Sequence, residues 1–125
     1  MPPEGSHTSE RAIIVKASFK GRNEPEDPLL EITSLARTAG VEVAGSILQK
    51  LTRPHPATYI GKGKVEEMAT LAETLDVDVV ITDNDLSPAQ ERNLEEVSKR
   101  KVVDRSQLIM DIFSQRARTR QAKLQ

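Results

Sequence analysis

The segment VDVVITDNDLSPAQ, residues 77–90, joins a strand pattern to the start of a helix. Its first six residues form a largely apolar, β-branched run that is typical of a parallel strand buried on both faces. Ser87 then precedes Pro88, and Gln90 stands three residues after Ser87, which is the pattern of a capping box with proline in the first helical turn. The segment therefore predicts a strand, a turn and a helix.

Three further segments have the composition of strands. Residues 11–19 (RAIIVKASF) are apolar and β-branched and lack a helix-starting signal. Residues 41–51 (VEVAGSILQKL) form a second strand, in which Gly45 marks a bulge or a bend. Residues 101–104 (KVVD) form a last, short strand. Together with residues 77–82, they predict a sheet of about four strands.

Helical patterns separate these strands. Apolar residues recur at helical spacing over residues 29–39, and Gly40 follows as a C-terminal stop. A second helix spans residues 65–75, and Ser106 is expected to cap a long terminal helix. Strands thus alternate with helices, and right-handed crossovers place helices on both faces of the sheet. The fold class is therefore α/β, with a mainly parallel sheet.

The patterns divide the chain into three parts. Residues 1–10 lack periodicity and are expected to be a disordered tail, and residues 11–105 hold the α/β domain. Residues 106–125 form a projecting helix, because a helix of about 20 residues extends about 30 Å, farther than so small a domain can cover. The sheet can cover only the first turns of this amphipathic helix, so we expect the first half of a truncated helical hairpin.

The charges of the chain are segregated. Residues 1–98 hold 10 Lys and Arg against 17 Asp and Glu, whereas residues 99–125 hold 8 against 2, although the net charge of the chain is only −1. A basic end of this kind indicates an anionic partner such as a phosphate backbone. A solvated helix end, where the macrodipole favours cations, explains the charge equally well. Composition alone leaves both interpretations open.

Composition also limits the compartment and the chemistry. The chain has no cysteine, which excludes disulfides and thiolate metal sites. No stretch approaches the roughly 20 apolar residues of a membrane span, and no N-terminal signal pattern is present. A cytoplasmic protein with no membrane partner is expected.

Two segments invite a ligand-binding interpretation. GKGK (residues 61–64) precedes a helix, where an anion could bind, but it lacks the spacing of a Walker A loop and the Ser or Thr that follows the lysine. It indicates a flexible basic turn that touches phosphate, or a plain loop. Asp83 and Asp85 follow a strand, where two carboxylates could hold magnesium, although turn residues explain them as well. Side chains for nucleophilic catalysis are lacking, and we assign no metal ligand and no catalytic residue.

The terminal helix carries the clearest functional signal. Arg116, Arg120 and Lys123 share one stripe of the helix, and Arg118 widens the basic surface. The start of the same helix has an apolar stripe, which consists of Leu108, Ile109, Ile112 and Phe113. The helix is therefore expected to pack at its beginning and to present cations at its end.

Three ordered blocks are similar to a known family. They are PHPATYIGKGKVEE (residues 54–67), LSPAQERNLE (residues 86–95) and VVDRSQLIMDIFSQRARTRQAKLQ (residues 102–125). The sequence resembles the N-terminal domain of the HflX family of ribosome-associated GTPases, from about Arg11 to its last residue. The resemblance implies a cytoplasmic protein in which an α/β domain precedes a two-helix hairpin and a GTPase domain.

The resemblance also implies a function. HflX proteins bind the large ribosomal subunit and help to separate stalled or stressed ribosomes into subunits, and their N-terminal domain and hairpin lie against ribosomal RNA. The expected partners are therefore the large subunit and its rRNA, the second limb of the hairpin, and the GTPase domain. This sequence contains neither a Walker A motif nor an Asn-Lys-x-Asp motif. GTP and magnesium would belong to the GTPase domain, so we expect this chain to need no cofactor and not to hydrolyse GTP.

Two basic surfaces are expected to contact rRNA. Guanidinium groups on the projecting helix match phosphate oxygens and stack on exposed bases, and a basic loop adds a second contact. Recognition is expected to depend on shape and phosphate position and to weaken strongly with salt. The residues assigned to nucleic-acid binding are Arg105, Arg116, Arg118, Arg120, Lys123, His55, Lys62 and Lys64.

Two other functions stay open at this point. A nucleotide- or phosphate-binding α/β domain, with ATP as one ligand, would use the two aspartates and the GKGK segment. A protein-interaction module would self-associate weakly through Ile109, Ile112 and Phe113. A melting temperature that rises with added nucleotide would favour the first alternative, and a mass that depends on concentration would favour the second.

Overall fold

The computed structural model describes the backbone of residues 10–124 and the side chains of residues 10–114. The elements are β1 (Arg11–Phe19), α1 (Leu30–Thr38), β2 (Glu42–Leu51), α2 (Lys62–Thr74), β3 (Val79–Thr82), α3 (Pro88–Ser98), β4 (Lys101–Val103) and α4 (Arg105–Leu124). This order confirms the predicted alternation, while the predicted disordered tail, apart from Glu10, lies outside the described residues. Among these elements, no helix combines the length with the apolar character that crossing a bilayer requires.

All four strands lie parallel in one sheet, in the order β2-β1-β3-β4. β1 therefore has a neighbouring strand on each side. Ala12 and Ile14 pack on one face of the sheet, whereas Ile13 and Val15 pack on the other, and all four are buried. Because helices cover both faces of the sheet, β1 needs no alternation of apolar and polar residues, and its sequence is therefore a nearly continuous apolar run.

Helices cover both faces of the sheet, as predicted. On one face, α2 and α3 contribute Met68 and Leu94 to the core. On the other face, Ile32 of α1 and Leu108 of α4 pack on the sheet. Burial of each such aliphatic side chain contributes roughly 1.5–3 kcal/mol, so the two cores supply the main force that holds the layers together.

The predicted irregularity in β2 is confirmed. Consecutive residues of β1 pair with Val43 and then with Gly45, so Ala44 is the extra residue of a bulge. A Cβ at Gly45 would lie 2.9 Å from Cδ1 of Leu75. The glycine therefore lets the end of α2 approach the bulged strand closely.

A side chain continues the sheet where β3 stops. β3 ends at Thr82, and beyond this point Asn84 takes the place of a strand beside Ala17 of β1. The Ala17 N–H donates to Oδ1 of Asn84 at 2.9 Å, and Nδ2 of Asn84 donates to the Ala17 carbonyl at 3.0 Å. The amide thus replaces one step of the backbone ladder and fixes the end of β1.

The predicted start of α3 is confirmed, whereas the predicted start of α2 is wrong. α3 begins after Ser87 with the predicted capping box to Gln90. α2 begins at Lys62 rather than at Val65, because Gly61 takes the N-cap position with an extended backbone. The GKGK segment therefore forms the N-cap and first turn of a helix, so both predictions for it, a flexible basic turn and a plain loop, are wrong.

α4 is capped by Asp104, so the predicted Ser106 cap is wrong. The Gln107 N–H donates to Oδ1 of Asp104 at 3.0 Å, and the Asp104 N–H donates to Oε1 of Gln107 at 3.3 Å. This reciprocal pair is a capping box that starts the helix at Arg105. The Ser106 hydroxyl instead donates to Oδ1 of Asp85 at 2.9 Å, which ties the first turn of α4 to the loop after β3.

The first turns of α4 pack against the rest of the domain. Leu108 and Ile112 are buried, whereas Met110 and Phe113 are 68% and 61% exposed. Ile112 is therefore not available for the self-association predicted from the sequence, whereas Ile109 is half-buried, and in the part of α4 whose side chains are described the large exposed apolar ones are Met110 and Phe113. α4 continues as one helix to Leu124, and its membership of a hairpin and the domain boundary at residue 105 stay predictions.

Candidate nucleic-acid interface

An open cleft lies where β1 and β2 end. Its volume is about 560 Å³, with Lys20 on one side and residues 50–56 on the other. The Lys20 N–H donates to the Leu51 carbonyl at 3.0 Å, so the two segments stay side by side after β1 ends. The carboxyl ends of parallel strands are the place where α/β folds commonly bind ligands. We call this feature the basic cleft.

Three of the eight residues that line the basic cleft are cations. Lys20, Lys50 and Arg53 are exposed, and His55 adds a further polar ring. No carboxylate lines the cleft, and none of the three cations forms an ion pair with another side chain in residues 10–114. Lys20 and Lys50 also line an adjacent cleft that contains Glu24 and Glu26, but no carboxylate lines the basic cleft itself, so its cations attract anions.

One wall of the cleft is a compact loop. The His55 N–H donates to the Tyr59 carbonyl at 3.0 Å, and the Tyr59 N–H donates to the His55 carbonyl at 2.9 Å. Pro54 and Pro56 fix two further backbone angles. Tyr59 closes the loop with φ of 68°, in the left-handed region. The short bridge and the prolines leave this wall few alternative conformations.

α3 holds this loop from behind. Nε2 of Gln90 donates to the carbonyls of His55 and Pro56 at 3.1 and 3.2 Å. Nδ2 of Asn93 donates to the Ala57 carbonyl at 2.8 Å. Since Gln90 also closes the capping box of α3, one side chain starts the helix and positions the wall of the cleft.

Two aromatic rings support the loop. Phe19 and Tyr59 meet edge to face, with ring centroids 6.2 Å apart and ring planes at 73°. The guanidinium carbon of Arg22 lies 5.3 Å from the centre of the Phe19 ring, which is a cation–π contact. Both rings are half-buried against the core, so they support the cleft and do not form an open platform for stacking bases.

The predicted loop residues have different surroundings. His55 lines the basic cleft, and a Cβ at Gly61 would lie 3.6 Å from its Nε2, which places the start of α2 beside the cleft wall. Lys62 is exposed in the first turn of α2. Nζ of Lys64 pairs with Oε1 of Glu67 at 3.0 Å. The Gly61 N–H donates to Oε1 of Gln49 at 2.9 Å, so this N-terminal donor of α2 is already used.

Arg105 is held by two carboxylates of the domain. Nη1 lies 2.9 Å from Oδ1 of Asp83, and Nη2 lies 3.1 Å from Oε1 of Glu31. The hydrogen bond to Glu31, followed by the one to Asp83, raises the pKa of the Arg105 guanidinium. The same hydrogen bond to Arg105 is the main cause of the lowered pKa of Glu31. The contact of Arg105 with nucleic acid stays a prediction, and its observed partners belong to α1 and to the loop after β3.

The two aspartates considered for magnesium bind protein groups. Besides Arg105, Asp83 has Nζ of Lys16 at 3.2 Å from its Oδ2, so each carboxylate oxygen faces a cation. Oδ1 of Asp85 accepts a hydrogen bond from the Ser106 hydroxyl. In the part of the chain that the structure describes, no group of three or more His, Asp and Glu side chains is arranged to hold a metal ion. These contacts support the interpretation of both aspartates as structural residues that anchor the start of α4.

The remaining predicted residues lie near the end of α4. Arg116, Arg118, Arg120 and Lys123 belong to its helical backbone, but their side chains lie outside the described ones. The contacts of these four residues therefore stay predictions.

Sequence reasoning missed three of the cations in the basic cleft. Lys20 directly follows the first predicted strand, and Lys50 and Arg53 lie at and just after the end of the second. Because these strands are parallel neighbours, with Ser18 paired to Lys50, their carboxyl ends meet at one edge. The sequence placed these cations at the ends of two predicted strands. It did not show that the two strands are neighbours, so the cleft could not be predicted.

Similarity to known proteins agrees with this architecture. A family model described as GTP-binding GTPase N-terminal matches residues 26–114. The GTPase HflX of Escherichia coli is 45% identical over 116 residues, and that of Lacrimispora saccharolytica is 42% identical over 116 residues. Each match covers 93% of this chain but only 27% of the relative. The chain thus spans about a quarter of the length of these relatives.

Solved structures with low sequence identity have the same fold. The crystal structure of a GTP-binding protein from the archaeon Sulfolobus solfataricus in complex with GDP superposes with a TM-score of 0.60 at 19% identity, and covers 84% of this chain and 30% of that chain. The SsGBP and GDP complex gives 0.63 at 20% identity, with 84% and 29% covered. This likeness concerns the fold, whereas the family model and the curated relatives concern descent. The chain belongs to the GTP-binding GTPase N-terminal family, the family of the N-terminal domain of HflX GTPases.

Proposed function

We propose that this domain docks on the rRNA of the large ribosomal subunit and serves a cytoplasmic HflX-type GTPase that separates stalled or stressed ribosomes into subunits. The observation that carries the proposal is the continuity of α4. Its first turns are packed through Leu108 and Ile112, and the same helix continues to Leu124. Residues 115–124 hold four Lys and Arg and no Asp or Glu. A helix anchored at one end and cationic at the other suits a partner that presents phosphates.

RNA is the anionic partner that fits this chemistry. Double-stranded RNA is recognised mainly through its shape and its phosphate and ribose groups. Arginine forks bind phosphate oxygens in pairs, and three of the four cations in residues 115–124 are arginines. The rings of Phe19 and Tyr59 are half-buried, so they offer no open surface on which RNA bases could stack. The domain is therefore proposed to recognise positions of phosphates in folded rRNA.

Catalysis is assigned to another part of the protein. The relatives are GTPases, but this sequence has no Walker A motif, and its GKGK segment is the first turn of α2. We propose that GTP and magnesium bind to a separate GTPase domain and that this domain supplies ribosome affinity. Met110 and Phe113, which are exposed on α4, would then face the second limb of the hairpin.

Co-sedimentation with purified large subunits across a salt series tests this proposal. The wild-type chain is compared with Arg116→Gln/Arg118→Gln/Arg120→Gln. If the three arginines each contact a phosphate, the slope of log K against log salt decreases by roughly 2–3 in magnitude. The matched control, Arg37→Gln/Arg92→Gln/Lys101→Gln, removes the same charge from exposed positions elsewhere and is expected to keep most of the slope.

Two results would contradict the proposal. The folded wild-type chain could fail to bind large subunits even at low salt, which would place the ribosome affinity outside this domain. Alternatively, the control could lose as much affinity as the α4 variant, in which case net charge and not the α4 surface determines binding.

A further inference from the structure

We propose that the basic cleft is a second RNA site, separate from α4, which binds the phosphodiester backbone of a single RNA strand. This inference rests on the proposed function in that the partner is RNA, but it concerns different residues. Lys20, Lys50 and Arg53 carry it, and only His55 among the cleft residues belongs to the set predicted from the sequence.

The charge of the cleft is the first argument. Three cations from two chain segments line one cleft that holds no carboxylate. Elsewhere among the described residues, several cations are paired: Lys16, Lys64 and Arg105 lie within 3.2 Å of carboxylate oxygens. Cations without such partners, gathered at the carboxyl edge of a parallel sheet, form a surface that is complementary to phosphate.

The shape of the cleft favours a strand over a single nucleotide. Residues 52–56 are all exposed along the cleft, so this wall is open to solvent over a length of five residues. Lys20 lies beside Leu51 through their backbone hydrogen bond, and Lys50 and Arg53 lie on either side of that point in sequence. The three cations therefore enter the lining from three different positions of two chain segments. A nucleotide site would need an enclosed pocket for the base, and neither the half-buried Phe19 ring nor the Tyr59 ring provides one.

The cleft is also built before any ligand arrives. Gln90 and Asn93 hold the loop by three hydrogen bonds to its carbonyls. Asn84 fixes the end of β1 three residues before Lys20. A rigid backbone lowers the entropy that binding must overcome, so only the side chains of the cations have to be ordered. Binding is expected to tolerate changes of base sequence, because the contacts address phosphates.

The test measures binding of a fluorescent single-stranded RNA of about 12 nucleotides, within the site sizes of single-strand binding folds. To exclude the terminal helix, every protein in the series carries Arg116→Gln/Arg118→Gln/Arg120→Gln/Lys123→Gln. Into this background we introduce Lys50→Gln/Arg53→Gln, and in parallel the control Arg37→Gln/Lys101→Gln. Arg37 near the end of α1 and Lys101 at the start of β4 lie toward the amino-terminal edge of the sheet, away from the cleft.

Loss of two phosphate contacts to a single strand reduces the slope of log K against log salt by about 1.4 in magnitude and weakens binding about 25-fold at about 0.1 M salt. The control is expected to keep the slope. Lys20→Gln/Arg53→Gln provides a second test with a different pair and should behave like the first. All the changed cleft residues are exposed, and circular dichroism confirms that each variant is folded.

The proposal is overturned if the cleft variants keep the affinity and slope of their background, or if the control loses as much as they do. It is also overturned if ATP displaces the RNA and itself binds in a manner that depends on Lys50 and Arg53, because the cleft would then be a nucleotide site. These outcomes are independent of the ribosome experiment, which compares α4 variants with an intact cleft.

Discussion

Asn84→Ala tests how the end of β1 is held beside a strand that stops early. The substitution removes both hydrogen bonds to the backbone of Ala17, a residue that is 2% exposed. Because β3 ends at Thr82, no strand takes the place of the amide. One buried donor and one buried acceptor therefore lose their partners.

The expected loss follows from these two groups. An unpaired buried backbone group costs about 1–3 kcal/mol, so the two groups together give a decrease of roughly 2–6 kcal/mol in the free energy of unfolding. At roughly 0.05–0.15 kcal/mol per residue, a chain of this length has a free energy of unfolding of roughly 6–19 kcal/mol. The substitution is therefore expected to remove a large share of the stability while leaving the hydrophobic core unchanged.

Equilibrium unfolding in urea measures this loss. With an m-value of about 2 kcal/mol/M, a decrease of about 3 kcal/mol lowers the midpoint by about 1.5 M. Asn84→Asp keeps the acceptor for the Ala17 N–H but loses the donor to the Ala17 carbonyl, and it should also destabilise. The comparison variant Asn93→Ala breaks one hydrogen bond to the exposed Ala57 carbonyl and is expected to cost about 0.5–1.5 kcal/mol. A loss for Asn84→Ala no larger than that for Asn93→Ala would refute the role of the amide as a substitute for the strand.

The helix caps and one carboxyl group give two further predictions. Asp104→Ala removes the acceptor for the Gln107 N–H, and also that for the Leu86 N–H. Loss of the cap alone should lower the urea midpoint by the equivalent of about 0.5–2 kcal/mol, and loss of the Leu86 contact adds to this. Ser106→Ala should cost less than about 0.5 kcal/mol; the reverse order would restore Ser106 as the cap. Burial, followed by the charge of Glu95, raises the pKa of Glu91. The folded state therefore binds a proton at Glu91 more tightly than the unfolded state does. The wild type consequently gains stability as the pH falls through the folded pKa. Glu91→Gln is expected to be more stable than the wild type at neutral pH by about 0.5 kcal/mol, with the gain shrinking to zero below about pH 4. A gain that is independent of pH would contradict this cause.

Local chemistry explains what could be predicted of the fold. The strand at residues 77–82 and the cap at Ser87 are visible in neighbouring residues, and both are confirmed. The sequence also contains the signal for the observed cap of α4, since Gln107 stands three residues after Asp104 and completes a capping box with it. Of two capping residues close together, the one with a partner at the right spacing starts the helix.

The basic cleft required information that one sequence does not contain. Lys20 and Lys50 are 30 residues apart, and only the pairing of β1 with β2 brings their strand ends together. The order of strands in a parallel sheet depends on the crossovers and on the packing of helices, for which the sequence has no local signal. The same holds for Arg105, whose cationic side chain predicted an RNA contact and which pairs with Asp83 and Glu31 across three elements.

One group of ion pairs joins the base of α4 to the segment that leads into the basic cleft. Asp83, whose side chain is 8% exposed, pairs with Arg105 at 2.9 Å and with Lys16 at 3.2 Å. Lys16 also donates to the Pro28 carbonyl at 2.9 Å, so the loop that begins at Lys20 is tied to the carboxylate that holds α4. Asp83 thus joins the start of α4 to β1 through two ion pairs, and Lys16 extends the connection to the end of the following loop, so several bonds must break before α4 can move relative to the sheet.

A stiff junction has a consequence if both proposed surfaces bind RNA. Once α4 is bound, the basic cleft meets its phosphates at a high effective concentration, but only where the RNA presents them at the spacing that the domain sets. A flexible or mismatched RNA gains little from the second surface. Selection of a folded RNA then follows from the fixed distance between two phosphate-binding surfaces, without hydrogen bonds to bases. Asp83→Ala removes one partner from both Arg105 and Lys16, which keep Glu31 and Glu24, and on this reasoning it weakens binding to large subunits more than binding to a short single strand.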